Sequence, residues 1–204
     1  MASITRPRAQ LSKRRAETET AVLGSVERLL AQGERFTELS VQRIAEEAGV
    51  ARSTFYLCFQ DKSDVLLRLA GTIKDELYAM GEKWRPVEDG PGALAEIYLR
   101  QIRHYRDRAP LMAAITEVAG YDEAFRDASV QSIKRFTRRI VAKFREEQRA
   151  GRLPDGVDPA IAGQVMAWSG EQVIARQVSL GDPADDAEVA RALAETLWFG
   201  TFRR

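Results

Sequence analysis

The sequence contains a single cysteine, Cys58, and a single histidine, His104, in 204 residues. One cysteine excludes an internal disulfide. The scarcity of both residue types leaves no pattern typical of a zinc site or of a cysteine–histidine catalytic centre. No glycine-rich phosphate loop or nucleophile motif is present either. We therefore expect no catalytic residues, no metal and no cofactor, and the chain is not predicted to be an enzyme.

Long apolar runs and a strong excess of one charge are also missing. No run approaches the roughly 18 apolar residues of a membrane span, and the first residues lack the apolar core of a signal peptide. Together with the lone cysteine, this predicts a cytoplasmic protein. Lys and Arg number 31 against 30 Asp and Glu, which gives a net charge of +1. Net charge alone therefore does not indicate a nucleic-acid partner.

The distribution of charge is more informative than its sum. Residues 1–15 contain no acidic side chain, and the basic ones are Arg6, Arg8, Lys13, Arg14 and Arg15. We interpret this segment as a flexible basic arm that follows a phosphate backbone. The alternative is a solvated, disordered tail with no partner.

Helical periodicity dominates the rest of the chain, and no stretch alternates as a strand would. Glycine and proline breaks divide the pattern into segments that predict an all-α fold of nine helices. We expect helix 1 from about Ala16 to Gln32, helix 5 from about Ala93 to Arg108 and helix 9 from about Asp186 to Phe202. The predicted domains are the basic arm at 1–15, a three-helix unit at 16–62 and a larger helical domain at 63–204.

The segment from Leu39 to Leu67 has the pattern of a helix-turn-helix. Ser40 is suited to cap the first short helix, and Gly49 to end it where a positive φ is needed. Only Val50 and Ala51 separate Gly49 from a second helix that can begin around Arg52. In such motifs the second helix enters the major groove of DNA.

This segment closely resembles the DNA-binding segment of the TetR family of bacterial transcriptional regulators. The matching positions are Ala45, Gly49, Val50, Thr54, Phe55, Tyr56, Phe59 and Lys62. The resemblance implies a nine-helix homodimer that binds double-stranded operator DNA, with repression as the default. It is closest to the EthR-like branch, whose members bind apolar, elongated ligands. The asparagine-bearing motif of that branch is replaced here by Gly170 and its neighbours.

Several residues are candidates for DNA contact. Arg52 can bond both acceptors on the major-groove edge of guanine, and Leu57 can touch a thymine methyl group. The resemblance places phosphate contacts at Tyr56 and Lys62. The complete predicted set is Ser40, Gln42, Arg52, Ser53, Thr54, Tyr56, Leu57 and Lys62. The alternatives are that Arg52 is a solvated surface residue and that Leu57 packs against the first helix of the unit. Cys58 is either a small structural residue or a redox sensor.

The larger domain is predicted to contain a sensor cavity and a dimer face. Bulky or aromatic residues on the expected inward faces would line a cavity for a small apolar effector: Tyr78, Trp84, Met112, Phe125, Met166 and Trp168. By the same resemblance, helices 8 and 9 would form the homodimer interface as an intermolecular four-helix bundle, with Val189, Leu193, Leu197 and Trp198 on helix 9. Both sets are open to the alternative that they fill the protein's own core. A constitutive DNA-binding protein that senses no small molecule is the alternative function.

Overall fold

The computed structural model describes residues 8–203, with side chains described from residue 12 onward. Over this part of the chain there are nine α-helices, one short 3-10 helix and no strand. The α-helices are α1 (Arg8–Ala31), α2 (Val41–Ala48), α3 (Arg52–Cys58), α4 (Lys62–Met80), α5 (Pro86–Arg106), α6 (Ala109–Tyr121), α7 (Glu123–Arg149), α8 (Pro159–Leu180) and α9 (Asp186–Phe202). The predicted all-α, nine-helix fold is confirmed.

Two helices begin earlier than predicted. Helix α1 starts at Arg8 rather than near Ala16, because its basic residues are good helix formers and no breaker interrupts them. Helix α5 starts at Pro86 rather than near Ala93. Its first turn closes because the Asp89 carboxylate accepts from the backbone N–H of Arg85 at 2.7 Å. The chain break predicted at the glycines is observed instead as a kink within α5 at Gly90, where φ is +68°.

The described residues fall into two compact units. The first combines residues 8–72 with Pro110–Phe125, and the second combines Ile73–Ala109 with residues 126–203. The first unit therefore contains the segment predicted as the DNA-binding domain, 16–62, together with the start of α4 and with α6. Helix α6 belongs to this unit in part through Glu117, whose carboxylate lies near Arg35 and Thr37 in the loop between α1 and α2.

The first unit is organised around side chains that α1 contributes to its centre. Val22, Val26 and Leu29 are fully buried. The α2 residue Ile44 and the α3 residue Phe55 are equally inaccessible. Because α2 and α3 are too short to be stable alone, this burial is what holds them as helices. The exposed side of α3 is thereby fixed by the packing of its opposite side.

The second unit is built mainly by α5, α8 and α9, with contributions from α4 and α7. Gly163 allows α8 to approach α7 closely, since a Cβ at this position would lie 2.7 Å from a methyl group of Val141. The indole N–H of Trp198 donates to the carbonyl oxygen of Pro86 at 2.6 Å and ties α9 to the start of α5.

Within residues 8–203, no helix combines the length and apolarity that crossing a bilayer requires.

Candidate nucleic-acid interface and apolar cavity

Helix α3 presents a continuous exposed face. Arg52, Ser53, Tyr56 and Leu57 are all exposed, and their spacing of three to four residues places them on one side of the helix. Leu57 keeps 73% of its surface accessible, although it is a large apolar residue in the middle of a folded unit. An apolar side chain this open is available for contact with a partner, such as a thymine methyl group in the major groove. The alternative that Leu57 packs inside the unit does not hold.

Arg52 and Tyr56 are associated on this face. The guanidinium of Arg52 lies 5.7 Å from the centroid of the Tyr56 ring, and one of its nitrogens is 3.5 Å from the tyrosine hydroxyl. A cation above an aromatic ring is stabilised by the negative ring face. The Tyr56 ring is in turn in edge contact with the buried ring of Phe55, with centroids 5.5 Å apart. The Arg52 side chain is thus partly ordered before any ligand binds.

The other predicted DNA-contact residues of α2 and α3 are accessible to different degrees. Ser40 is exposed, and its hydroxyl accepts from the backbone N–H of Arg43 at 3.1 Å, so it caps α2 as expected. Gln42 is exposed and donates to Glu46 at 2.7 Å. Thr54 is half-buried. The exposed members can reach a ligand, whereas Thr54 can offer only part of its side chain.

Lys62 is placed differently from the prediction. Its ammonium group donates to the carbonyl oxygens of Phe36, Thr37 and Leu39, each at 2.9 Å. An ammonium group has three donors, so all three are used inside the unit. Partial burial lowers the pKa of Lys62, against an opposing effect of the Glu117 carboxylate. In this position Lys62 stabilises the loop between α1 and α2 and has no free donor for a phosphate.

Basic residues of α1 lie near the exposed face of α3. Arg15 lines the same surface depression as Tyr56 and Leu57, and its backbone carbonyl is 3.9 Å from the sulfur of Cys58. The side chains of Lys13, Arg14 and Arg15 are exposed. Residues 1–7, which include Arg6, lie outside the described residues, as does the side chain of Arg8. The described end of the predicted basic arm is therefore helical, and it supplies positive charge beside α3.

A cavity of about 60 Å³ lies within the second unit. Apolar and aromatic side chains from α4, α5, α7 and α8 surround it. Of the six residues predicted to line a sensor cavity, Tyr78, Trp84 and Met166 do so. The remaining wall includes Leu77, Gly81, Leu94, Ile97, Tyr98, Gln101, Tyr105, Ile133, Phe136, Ile140, Ala167, Gly170, Glu171 and Ile174.

Three residues predicted to line this cavity lie elsewhere. Met112 and Phe125 belong to the first unit, where Phe125 is buried. Trp168 is a half-buried residue of α8 that is not part of the cavity wall. The prediction took α6 and the start of α7 as parts of the sensor domain, which is why it included Met112 and Phe125. For Trp168 the error is one of helical phase, because its neighbours Met166 and Ala167 form the wall.

Polar groups in the cavity wall are few and mostly tyrosines. The Tyr78 ring stacks on Phe136 with centroids 4.1 Å apart. Its hydroxyl is buried without a well-formed hydrogen bond, and burial raises the pKa of Tyr78 despite a small opposing effect of Ser132. Burial also raises the pKa of Tyr98 and Tyr105. The three phenols therefore remain protonated at neutral pH.

The predicted dimer residues of α9 are largely engaged within the chain. Leu197 is buried, Val189 and Leu193 are half-buried, and Trp198 is half-buried with its bond to Pro86. Other apolar side chains of α8 and α9 are the exposed ones. Ile161 and Val165 on α8 are 60% and 50% exposed, and Phe199 on α9 is 44% exposed. The spacing of Ile161 and Val165 by four residues is the signal in the sequence that could have identified them.

The single histidine and the single cysteine of the sequence both lie in contacts within the protein. His104 of α5 contacts Glu76 at 2.9 Å and Arg108 at 3.1 Å. Cys58 is buried in α3. Residues 8–203 contain no group of three or more His, Cys, Asp or Glu side chains that could hold a metal ion.

Comparison with known proteins gives a match to a protein family and a match to a curated relative. Residues 29–69 match the family described as "Bacterial regulatory proteins, tetR family". Over 71 residues the chain is 44% identical to the HTH-type transcriptional regulator EthR of Mycolicibacterium smegmatis, a match that spans 33% of this chain and 32% of that relative. The curated relative is therefore matched over about a third of its length.

Solved structures match over nearly the whole chain. A TetR transcription regulator from Haloarcula marismortui aligns with a TM-score of 0.70 at 19% identity, covering 92% of this chain and 100% of that one. The transcriptional regulator FadR from Bacillus subtilis, solved in complex with stearoyl-CoA, aligns with a TM-score of 0.66 at 19% identity, covering 89% and 98%. At such identities the likeness establishes the fold.

Proposed function

We propose that the protein is a sequence-specific DNA-binding transcriptional regulator, because residues 29–69 match the tetR family of bacterial regulatory proteins and a solved TetR regulator shares the fold of nearly the whole chain. The observation that carries this proposal is the exposed face of α3, with Arg52, Ser53, Tyr56 and Leu57 on one side of a helix whose other side is buried. In a helix-turn-helix protein this is the surface that enters the major groove.

The proposed contacts divide into base-reading and backbone-binding groups. Arg52 reads guanine through its two-pronged guanidinium, and Leu57 packs against a thymine methyl group. The hydroxyls of Ser40, Ser53, Thr54 and Tyr56 and the amide of Gln42 contact phosphates or base edges. The exposed basic residues of α1 take over the phosphate neutralisation that the sequence assigned to Lys62.

We further propose that the functional form is a homodimer. One recognition helix covers too few base pairs for a specific site, and two-fold symmetric proteins place two such helices about one DNA turn apart. Among the apolar residues that remain exposed on α8 and α9, Ile161, Val165 and Phe199 are the surface proposed for this contact. The predicted dimer residues of α9 would pack beneath this surface and stabilise it: Val189, Leu193, Leu197 and Trp198.

The cavity in the second unit favours a regulator that senses a small, largely apolar ligand over a constitutive DNA-binding protein. Helix α4 carries both Lys62 and the cavity residue Tyr78. A ligand that binds more tightly to the state with low DNA affinity must weaken DNA binding by its preference ratio. We propose that such a ligand releases the protein, acting as a repressor, from its operator.

Footprinting on the intergenic DNA upstream of the protein's own gene tests the proposal. We expect protection of two similar half-sites whose centres are about 10 base pairs, or a multiple of that spacing, apart. Raising the salt concentration should weaken binding steeply, because phosphate contacts release counterions. Uniform protection of this DNA and of unrelated duplexes at the same protein concentration would contradict sequence-specific regulation.

A further inference from the structure

The charges around the cavity set limits on the ligand. Among the described residues that line the cavity, Glu171 is the only acidic one, and none is a lysine or an arginine. The Glu171 carboxylate is paired with Lys74 at 2.9 Å, and both side chains are largely buried. An anionic ligand would meet the Glu171 carboxylate without a free cation to balance its charge. Burying an unpaired charge in such surroundings is strongly unfavourable.

The hydrogen-bonding groups of the wall indicate the complementary ligand chemistry. Tyr78, Tyr98 and Tyr105 face an otherwise apolar space, and a protonated phenol is a hydrogen-bond donor. One of the two amide N–H groups of Gln101 is already used, since it donates to the carbonyl oxygen of Leu77 at 2.9 Å. Gly170 leaves room beside the Tyr98 hydroxyl, which lies 3.3 Å from where a Cβ would stand. The three phenols are therefore most of the donors that a ligand in the cavity would meet.

The cavity is also small. Its volume of about 60 Å³ leaves room for only a few non-hydrogen atoms beyond those of the wall. A compact ring or a short branched chain fits this space better than a long acyl chain.

From these features, and resting on the sensor function proposed above, we propose that the effector is a compact, uncharged molecule. Its apolar body carries a hydrogen-bond-accepting oxygen, as in a ketone, lactone or ester, and this oxygen accepts from the hydroxyl of Tyr78 or Tyr98. Carboxylates and other anions are rejected by Glu171.

A matched set of ring compounds tests the proposal on the full-length protein: cyclohexane, cyclohexanone, cyclohexylamine and cyclohexanecarboxylate. Dissociation constants are measured by calorimetry at neutral pH. We expect cyclohexanone to bind about three- to tenfold more tightly than cyclohexane, the gain typical of one hydrogen bond. The carboxylate should bind more weakly than the hydrocarbon. Equal binding of all four probes, tightest binding by the amine or the carboxylate, or no binding by any probe would overturn the proposal.

Tyrosine-to-phenylalanine variants identify the donor. The double variant Tyr78→Phe/Tyr98→Phe should bind cyclohexanone no better than cyclohexane, while its affinity for cyclohexane stays within about twofold of the parent's. Retained cyclohexane binding shows that the cavity has not collapsed. Tyr121→Phe, at an exposed tyrosine of α6, is the matched control and should change nothing. A double variant that keeps the preference for the ketone would contradict the assignment.

Glu171→Gln tests the rejection of anions separately. The substitution removes the negative charge and leaves Lys74 without its partner, so binding of cyclohexanecarboxylate should improve at least severalfold while binding of cyclohexanone stays unchanged. No gain for the carboxylate would refute the role of Glu171. Operator binding is measured without any probe, so failure of this ligand assignment and failure of the DNA-binding proposal are distinguished.

Discussion

At the scale of single residues, Lys62 shows how a motif position can have a structural role. Its three donors satisfy three acceptors in the loop that leads into α2, and its ammonium also lies 5.2 Å from the centre of the Phe36 ring. The family pattern includes this position. It could not show where the side chain points, because that depends on a loop some 25 residues earlier in the chain.

Replacing Lys62 should therefore affect folding rather than the ionic part of DNA binding. We expect Lys62→Met to reduce the free energy of unfolding by about 1–3 kcal/mol, because backbone acceptors lose a charged donor. Denaturant titration measures this change. Lys134→Met, at an exposed lysine of α7, is the control and should lie within about 0.5 kcal/mol of the parent.

The salt dependence of DNA binding separates the two roles of Lys62. With folded Lys62→Met, the slope of the logarithm of the binding constant against that of salt should equal the parent's slope. A slope smaller by about one would show that Lys62 neutralises a phosphate after all.

At the scale of elements, the turn between α2 and α3 sets the position of α3. Gly49 ends α2 with φ of +68°, and its N–H bonds back to the last turn. The sequence predicted this correctly, since glycine is the residue that most readily ends a helix in the left-handed conformation. Helix boundaries were less predictable where tertiary or capping contacts extend a helix, as the Asp89 contact does at the start of α5.

Two glycine-to-alanine changes should have opposite signs. Gly49→Ala forces an alanine into the left-handed region and should destabilise the protein by about 1 kcal/mol and weaken DNA binding. Gly71→Ala, within α4 and with open space around the added methyl group, should stabilise it by up to about 1 kcal/mol. Thermal unfolding of both variants checks this. A neutral Gly49→Ala would mean that the turn tolerates another conformation.

One ion pair links the end of α5 to α8 and α9. Arg106 donates two hydrogen bonds of 2.7 Å to the buried Asp186 and also reaches carbonyl oxygens at the end of α8. The hydrogen bonds from Arg106, helped by Gln177, hold the pKa of Asp186 below its ordinary value. The unfolded chain thus binds a proton at this carboxylate more readily than the folded chain does. The stability from the pair is complete above about pH 4 and is lost as the pH falls through the lower folded value.

Asp186→Asn should accordingly cost about 2 kcal/mol at neutral pH, with a smaller difference from the parent below pH of about 4. Urea titrations at several pH values measure this. The neighbouring Asp185→Asn is the control, because Asp185 is exposed and its side chain makes no capping hydrogen bond. A difference between Asp186→Asn and the parent that stays constant down to low pH would contradict the ion-pair account.

At the scale of the whole molecule, the number of helices and the position of the helix-turn-helix segment could be predicted from periodicity and motif. The residues that line the cavity could be predicted from the sequence only in part. Periodicity tells which side of a helix is buried, but not which unit buries it, and so it could not assign Met112 or Phe125. The same limit applies to α9, where Trp198 and Leu197 fit a core and an interface equally well by their spacing.

The proposed dimer makes a prediction at this scale. Val165→Asp places a charge on the exposed apolar surface of α8 and should convert a dimer into a monomer in sedimentation experiments. Affinity for a complete operator should fall at least about tenfold, because two linked half-site contacts become independent. Val130→Asp, at another exposed valine on α7, should leave both properties unchanged. A parent protein that sediments as a monomer would contradict the dimer.

The most direct test of DNA reading by α3 is the ratio of affinities for the upstream operator and for a scrambled duplex, measured by fluorescence anisotropy at one fixed salt concentration. We predict that Arg52→Ala lowers this ratio by about 5- to 100-fold, the worth of one bidentate base contact, while non-specific binding changes little. Arg139→Ala, at an exposed arginine of α7, should leave the ratio unchanged. An operator preference that survives Arg52→Ala intact would contradict the assignment of α3 as the reading surface.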